Sequence, residues 1–243
     1  MVYMPRHYNI LKAKDKNESK IVRKDMFFDL PARILLCGRT GTGKGNTILN
    51  YCVRDMYYNK DFDGSDIFIF SPSLRLDRKT KMLIKNKRIP NENLFETLDE
   101  DNLGAVLDFL EETYLEHKAE TGKSKHSLII IDDCLPKMKE KQNGAFQSLF
   151  IRGRHFCVSV CATLQFYNKC PPVCRNNASG LVLWDLNAKQ LDDIIADHNY
   201  LDSKKDFMEK FRKATSRSSH SNFIINYSNP KDKMYLNENF KPI

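Results

Sequence analysis

The sequence predicts an α/β protein with a mostly parallel central sheet flanked by helices, and three observations carry that prediction. Short apolar runs alternate with amphipathic stretches along most of the chain. The first run leads into a glycine-rich loop, Gly38 to Gly45 (GRTGTGKG), which opens directly into a helical pattern. A later run, Leu128 to Ile131 (LIII), is apolar on both faces, as a strand covered by helices on each side must be, and it ends in Asp132 and Asp133.

The elements follow in order. Arg33 to Cys37 (RILLC) reads as a strand that stops at glycines. Lys44 to Met56 then carries Ile48, Leu49, Cys52, Val53 and Met56 at helical spacing. Asp66 to Phe70 (DIFIF), followed by Ser-Pro-Ser, reads as a second strand and its exit turn. The stretch from Arg75 to Arg88 has one acid, Asp77, among many bases, and is either a solvated helix face or part of a nucleic-acid surface. Asp99 to His117 reads as an amphipathic helix with acids clustered at its start, where the helix dipole favours them. After the LIII strand come a short helix over Gly144 to Arg152 and a fourth strand over Phe156 to Thr163. A fifth strand follows over Leu181 to Trp184. Asn187 and Ser203 are N-caps for helices over Ala188 to His198 and Lys204 to Ala214, and Asn222 to Tyr227 forms a sixth strand after the turn SRSSHS. Parallel strands with right-handed crossovers bring the loops at their C-terminal ends to one edge, where ligands bind in open α/β sheets.

At 243 residues the chain is long enough for one sizeable domain, placed over residues 31–230, with a basic N-terminal segment or arm over 1–30 and a tail over 231–243. Met1 to Lys24 is polar and basic with no apolar middle, so no signal peptide is expected, and no apolar run is long enough to span a membrane. An intracellular protein with reduced thiols is the expectation for its seven cysteines. The spacings Cys157/Cys161 and Cys170/Cys174 raise a zinc site. Cys157 and Cys161 lie in an apolar run, however, which favours buried small hydrophobes. The net charge of +8 points to a polyanionic partner, nucleic acid first.

The chemistry concentrates at the predicted strand ends. A phosphate-binding loop needs glycines so that successive backbone N–H groups can face one anion at a helix N-terminus, and a lysine to reach the β- and γ-phosphates. Gly38, Gly41, Gly43 and Gly45 supply the glycines and Lys44 the cation, so Gly38, Arg39, Thr40, Gly41, Thr42, Gly43, Lys44, Gly45 and Asn46 form the candidate ATP-binding segment. Asp132 is placed to hold magnesium and Asp133 to orient or deprotonate the attacking water. Gln165, just past the fourth strand, is placed to touch the γ-phosphate or that water. Arg152, Arg154 and Arg175 are candidates for neutralising transition-state charge, and His155 reads as structural.

Taken together, GRTGTGKG, LIIIDD, RGRH (Arg152 to His155), Gln165-Phe166-Tyr167 and PPVCRNNAS (Pro171 to Ser179) resemble the RecA-like additional-strand P-loop ATPases of the FtsK/HerA superfamily. Within it the sequence is similar to the genome-packaging ATPases of poxviruses, other large DNA viruses, virophages and Polinton-like elements. The resemblance spans about residues 30 to 230. It implies an ATP- and Mg2+-dependent motor that works as a homo-oligomeric ring, a hexamer, in the cytoplasm of the infected cell. That ring would drive double-stranded DNA into a capsid or portal-like vertex. It also implies an arginine finger contributed in trans, for which Arg154 and Arg175 both match by position.

One residue departs from the pattern. Where such loops carry Ser or Thr to hold magnesium, this chain has Gly45. Magnesium retains waters readily, so phosphates, water and Asp132 remain as ligands. Thr47 lies roughly 200° around the helix from residue 45, a poor substitute. Nucleotide binding is expected to survive while hydrolysis slows or comes to depend on assembly. A nucleotide-dependent DNA-binding or regulatory subunit without turnover is the competing reading, and a small-molecule kinase is disfavoured because no separate lid is evident.

Overall fold

The computed structural model describes residues 20–134 and 144–243. Its centre is an eight-stranded sheet made of β1 (Arg33–Cys37), β2 (Ile67–Phe70), β3 (Leu94–Phe95), β4 (Ser127–Ile131), β5 (Val158–Leu164), β6 (Gly180–Leu183), β7 (Phe223–Asn226) and β8 (Tyr235–Asn237). The spatial order is β3-β2-β4-β5-β1-β6-β7-β8. All neighbours from β3 to β6 run parallel, whereas β6 with β7 and β7 with β8 are antiparallel. β5 lies between β1, which feeds the glycine loop, and β4, which ends in the two acids. That intervening strand is what the additional-strand resemblance implies.

Two core clusters sandwich the sheet, and the alternation of the strands decides which residue enters which. On one face Leu35, Phe68, Ile129 and Val160 meet α3 (Glu100–Thr121), α4 (Ala145–Arg152), α6 (Ala188–His198) and α7 (Lys204–Thr215). On the other face Ile34, Ile67, Ile130 and Cys161 meet α1 (Lys44–Val53) and, through Leu83, α2 (Arg78–Lys87). Asp99, Asn187 and Ser203 cap α3, α6 and α7 by accepting from the backbone N–H of Asn102, Gln190 and Asp206.

The departures from expectation are local. α1 ends at Val53, and Met56, expected on its apolar face, is 59% exposed. The basic stretch is a helix, α2, capped by Asp77 and burying only Leu83. Pro172 opens α5 (Pro172–Asn177) at the first helical position, where its missing N–H costs nothing, although the segment PPVCRNN was not read as helical. The sixth expected strand, β7, is antiparallel because two helices rather than one separate it from β6. The stretch expected as a tail contributes β8, and Leu236 and Phe240 are buried. Of the expected N-terminal arm, residues 1–19 lie outside the described residues, while Phe27, Phe28 and Leu30 are core residues. All seven cysteines are buried and none forms a disulfide, and among the described residues there is no group of three or more His, Cys, Asp or Glu placed to hold a metal ion. Among the described residues no helix is long and apolar enough to cross a membrane.

Candidate active site

The loop after β1 is shaped by two glycines in the left-handed region, Gly41 at φ 84° and Gly43 at φ 115°, where a side chain would be strained. Gly43 is the N-cap of α1 and makes no side-chain cap hydrogen bond, and the first turn holds no acid. The N-terminus of α1 is thereby left with backbone donors and a positive dipole end, the two properties that an anion needs. Lys44 is only 7% exposed, and its Nζ donates to the carbonyls of Gly38 (2.7 Å) and Arg39 (3.0 Å), folding the ammonium over the loop. Burial lowers its pKa, and Asp133 and then Asp132 oppose that shift. Arg39, Thr40 and Asn46 lie exposed around the loop, and the Thr42 hydroxyl donates to the Arg39 carbonyl at 2.9 Å. Thr42 is therefore committed to the loop and does not stand in for the missing hydroxyl at position 45.

Across β5, the two acids are held by a residue that the sequence did not single out for this role. Thr163, 1% exposed at the end of β5, donates its hydroxyl to Asp132 Oδ1 (2.8 Å) and accepts from the backbone N–H of Asp133 (3.0 Å). One side chain thus fixes both acids. Its only signal in sequence is a hydroxyl at the end of an apolar strand. Burial raises the Asp132 pKa first, the Thr163 hydrogen bond lowers it, and Asp133 raises it further. Asp133 takes a left-handed backbone, φ 53°, an uncommon conformation that recurs at functional sites. Gln165 Nε2 donates to Asp133 Oδ1 at 3.1 Å, so the amide and the acid form one unit.

Lys44, Asp132, Asp133 and Gln165 therefore converge at the C-terminal edge of adjacent parallel strands. The arginines do not join them. Arg154 is exposed in the turn before β5, at the opposite edge of the sheet, and Arg152 pairs with Glu111 at 3.3 Å. Arg175, on α5, donates to Asp197 Oδ2 at 2.5 Å and lies over the Tyr167 ring, 4.8 Å from its centroid. The donor set suits nucleotide and magnesium together: a buried ammonium, an uncapped helix start, and one oriented carboxylate to which phosphate and water oxygens would add. Two more residues close on the loop, one just past β6 and one in the turn before β7. Trp184 lies against Gly38 and Gly43, and His220 Nδ1 meets the Thr42 carbonyl at 3.1 Å.

The sequence profile of the poxvirus A32 protein family matches residues 18–234, nearly the whole chain. The chain belongs to that family. No curated relative matches it at the level of sequence. Among solved structures, this A32-family fold is similar to the genome-packaging NTPase B204 of Sulfolobus turreted icosahedral virus 2 in complex with AMPPCP, at 16% identity over 88% of this chain and 98% of that one, with a TM-score of 0.54. It is also similar to B204, the DNA-packaging ATPase of Sulfolobus turreted icosahedral virus, at 17% identity over 88% of this chain and 98% of that one, with a TM-score of 0.55. A more distant likeness is to ATPases 2 and 3 of EssC from Geobacillus thermodenitrificans, at 13% identity over 72% of this chain and 36% of that one, with a TM-score of 0.53. At these identities the likenesses establish a shared fold.

Proposed function

We propose that this A32-family chain is an ATP-hydrolysing motor that drives double-stranded viral DNA into a capsid. The observation that carries the reading is the convergence of Lys44, Asp132, Asp133 and Gln165 at one sheet edge, beside a glycine loop whose helix start has no side-chain cap. Family membership and the B204 complexes with nucleotide analogues support the same chemistry. Lys44 leaves its two carbonyl partners to contact the β- and γ-phosphates, and the α1 N-terminus faces the same anion. Asp132 would hold magnesium, which would supply charge neutralisation when bound. Asp133 takes the proton of the attacking water as its oxygen bonds to the γ-phosphorus and the bond to the β-phosphate oxygen breaks, giving ADP and phosphate. Gln165 keeps the Asp133 carboxylate pointed and shares its water. The net charge of +8 suits a polyanionic track. The working form is a homo-oligomeric ring, a hexamer, in the cytoplasm of the infected cell, facing the capsid or a portal-like vertex. In it Arg154 or Arg175 reaches a neighbour's nucleotide, as the resemblance to ring-forming ATPases implies.

Steady-state ATP hydrolysis with and without double-stranded DNA tests this reading, with Lys44→Ala and Asp133→Asn beside the wild type. The expected result is DNA-stimulated turnover abolished by either change. Gly45 favours a second reading, a nucleotide-dependent DNA-binding or regulatory subunit. Nucleotide binding without turnover under any condition, DNA present or absent, would establish that reading and end the first.

A further inference from the structure

The basic helix α2 has so far no part in the chemistry, yet its first turn lies against the position where the loop departs from its pattern. A side chain at Gly45 would meet Lys79 first, with a Cβ 3.6 Å from Lys79 Cδ, an ordinary van der Waals distance. Gly45 has no left-handed φ, so the backbone does not demand glycine there. Gly45, Lys79, Thr80 and Asp132 line one small hollow between α1, α2 and the end of β4. The Lys79 stem therefore lies beside the space that a Ser or Thr side chain would occupy, and its ammonium is near enough to Lys44 to oppose that lysine's charge. Asp77 anchors the turn, accepting from the Thr80 N–H (2.8 Å) and the Thr80 hydroxyl (2.9 Å), so Lys79 starts from a fixed helix end.

We propose that Lys79 is a second phosphate-binding cation of the nucleotide site, its stem packed over Gly45 and its ammonium directed at the β- and γ-phosphates on the side where the loop hydroxyl would hold magnesium. This rests on the ATP reading above. An ammonium is a compact point charge with three donors, suited to bridging phosphate oxygens without a fixed geometry. Lys44 and Lys79 together bring two positive charges to the phosphates from the protein itself. Nucleotide affinity then depends less on the divalent ion than a loop of this type with a hydroxyl would require. Lys79 is exposed, and its ordering is expected only when the anion is bound.

The test is ATP binding by titration calorimetry on the full chain, with magnesium and with EDTA in its place. It compares the wild type with Lys79→Met, Lys81→Met as an exposed control on the same helix, Gly45→Ser and Lys44→Ala. Lys79→Met should weaken binding in EDTA by about tenfold or more and by a smaller factor in magnesium, as expected for loss of one charged contact. Lys81→Met should leave both affinities within about twofold, and Gly45→Ser placed on Lys79→Met should recover affinity in magnesium but not in EDTA. Equal affinities of Lys79→Met and wild type in EDTA overturn the inference, as does an equal loss in Lys81→Met. Absence of ATP binding by the wild type, with Lys44→Ala indistinguishable from it, overturns the nucleotide reading itself. The melting temperature of each variant, expected unchanged for these exposed lysines, separates lost contacts from lost folding.

Discussion

Two clusters of polar groups lie behind successive stretches of β5 and its exit, and they are built on opposite principles. In the first, a chain of protons is closed within the protein. Tyr167 donates its hydroxyl to Asp197 Oδ2 at 2.8 Å, so its oxygen accepts from His198 Nε2 at 2.5 Å. His198 Nδ1 must then accept from the Tyr227 hydroxyl at 2.6 Å, which assigns the ring its neutral Nε2–H tautomer. Arg175 completes the run at Asp197. Burial pushes the His198 pKa down to about 4, Asp197 opposes that shift and Arg175 adds to it. In the second cluster, the Lys44 ammonium bonds among the described residues to carbonyls of its own loop, the start of α1 has no side-chain cap, and Asp133 holds an uncommon backbone conformation. The first cluster fixes geometry because its rings and the Asp197 carboxylate bond to one another, with the Arg175 Nε alone left without a partner among the described residues. The second keeps charge and donors for a ligand to meet, and a polar cluster with that surplus is where function should be sought.

The contrast can be broken from either side, and the largest effect is expected at the strand edge. Asp133→Asn should lower the ATP turnover number by about a hundredfold or more while ATP affinity stays within a few-fold, read by steady-state kinetics and calorimetry. Thr163→Val should follow. Loss of one hydroxyl unpairs the Asp132 carboxylate and the Asp133 N–H at a cost of about 1–3 kcal/mol, seen as lower turnover together with a lower melting temperature. At the internal network the effect falls on stability. His198 is neutral in the fold down to about pH 4 but titrates near 6.5 when unfolded, so between those values the unfolded state binds the extra proton. The network's contribution is therefore complete above pH 6.5, drains away as pH falls toward 4, and levels off below, a loss on the order of 3 kcal/mol. Denaturant melts from pH 7 to 4 should show that slope, and His198→Gln should flatten it. The smallest change is Tyr227→Phe, expected to cost about 1 kcal/mol and to leave turnover unaltered. A turnover loss as large as that of Asp133→Asn would show that the network takes part in catalysis.

What could be read from sequence follows from what each feature requires. The glycine loop, LIIIDD and the six longer strands are contiguous, and their spacing reports their structure directly. β3 has two residues and β8 three, too short for any alternation, and both are held by pairing with distant strands. Thr163 looked like one more polar strand end because its importance lies in bonds to residues 31 and 30 positions away. Lys79 was hidden in a charge run for the same reason, since its neighbour Gly45 lies on another helix. Arg154 and Arg175 rest on motif alone: Arg154 lies in the turn before β5 and Arg175 pairs with Asp197.

Phe240 and β8 close a seam with the segment that leads into β1. Phe240 sits edge-on to Phe27 at 4.9 Å between ring centroids, and β8 covers the outer side of β7. Deleting residues 231–243 would strip Phe27 of that partner and turn β7 into an uncovered edge with free backbone donors and acceptors. A shortened chain of that kind invites strand-to-strand aggregation. A chain cut after Pro230 is therefore expected to precipitate, read as loss of soluble protein on expression.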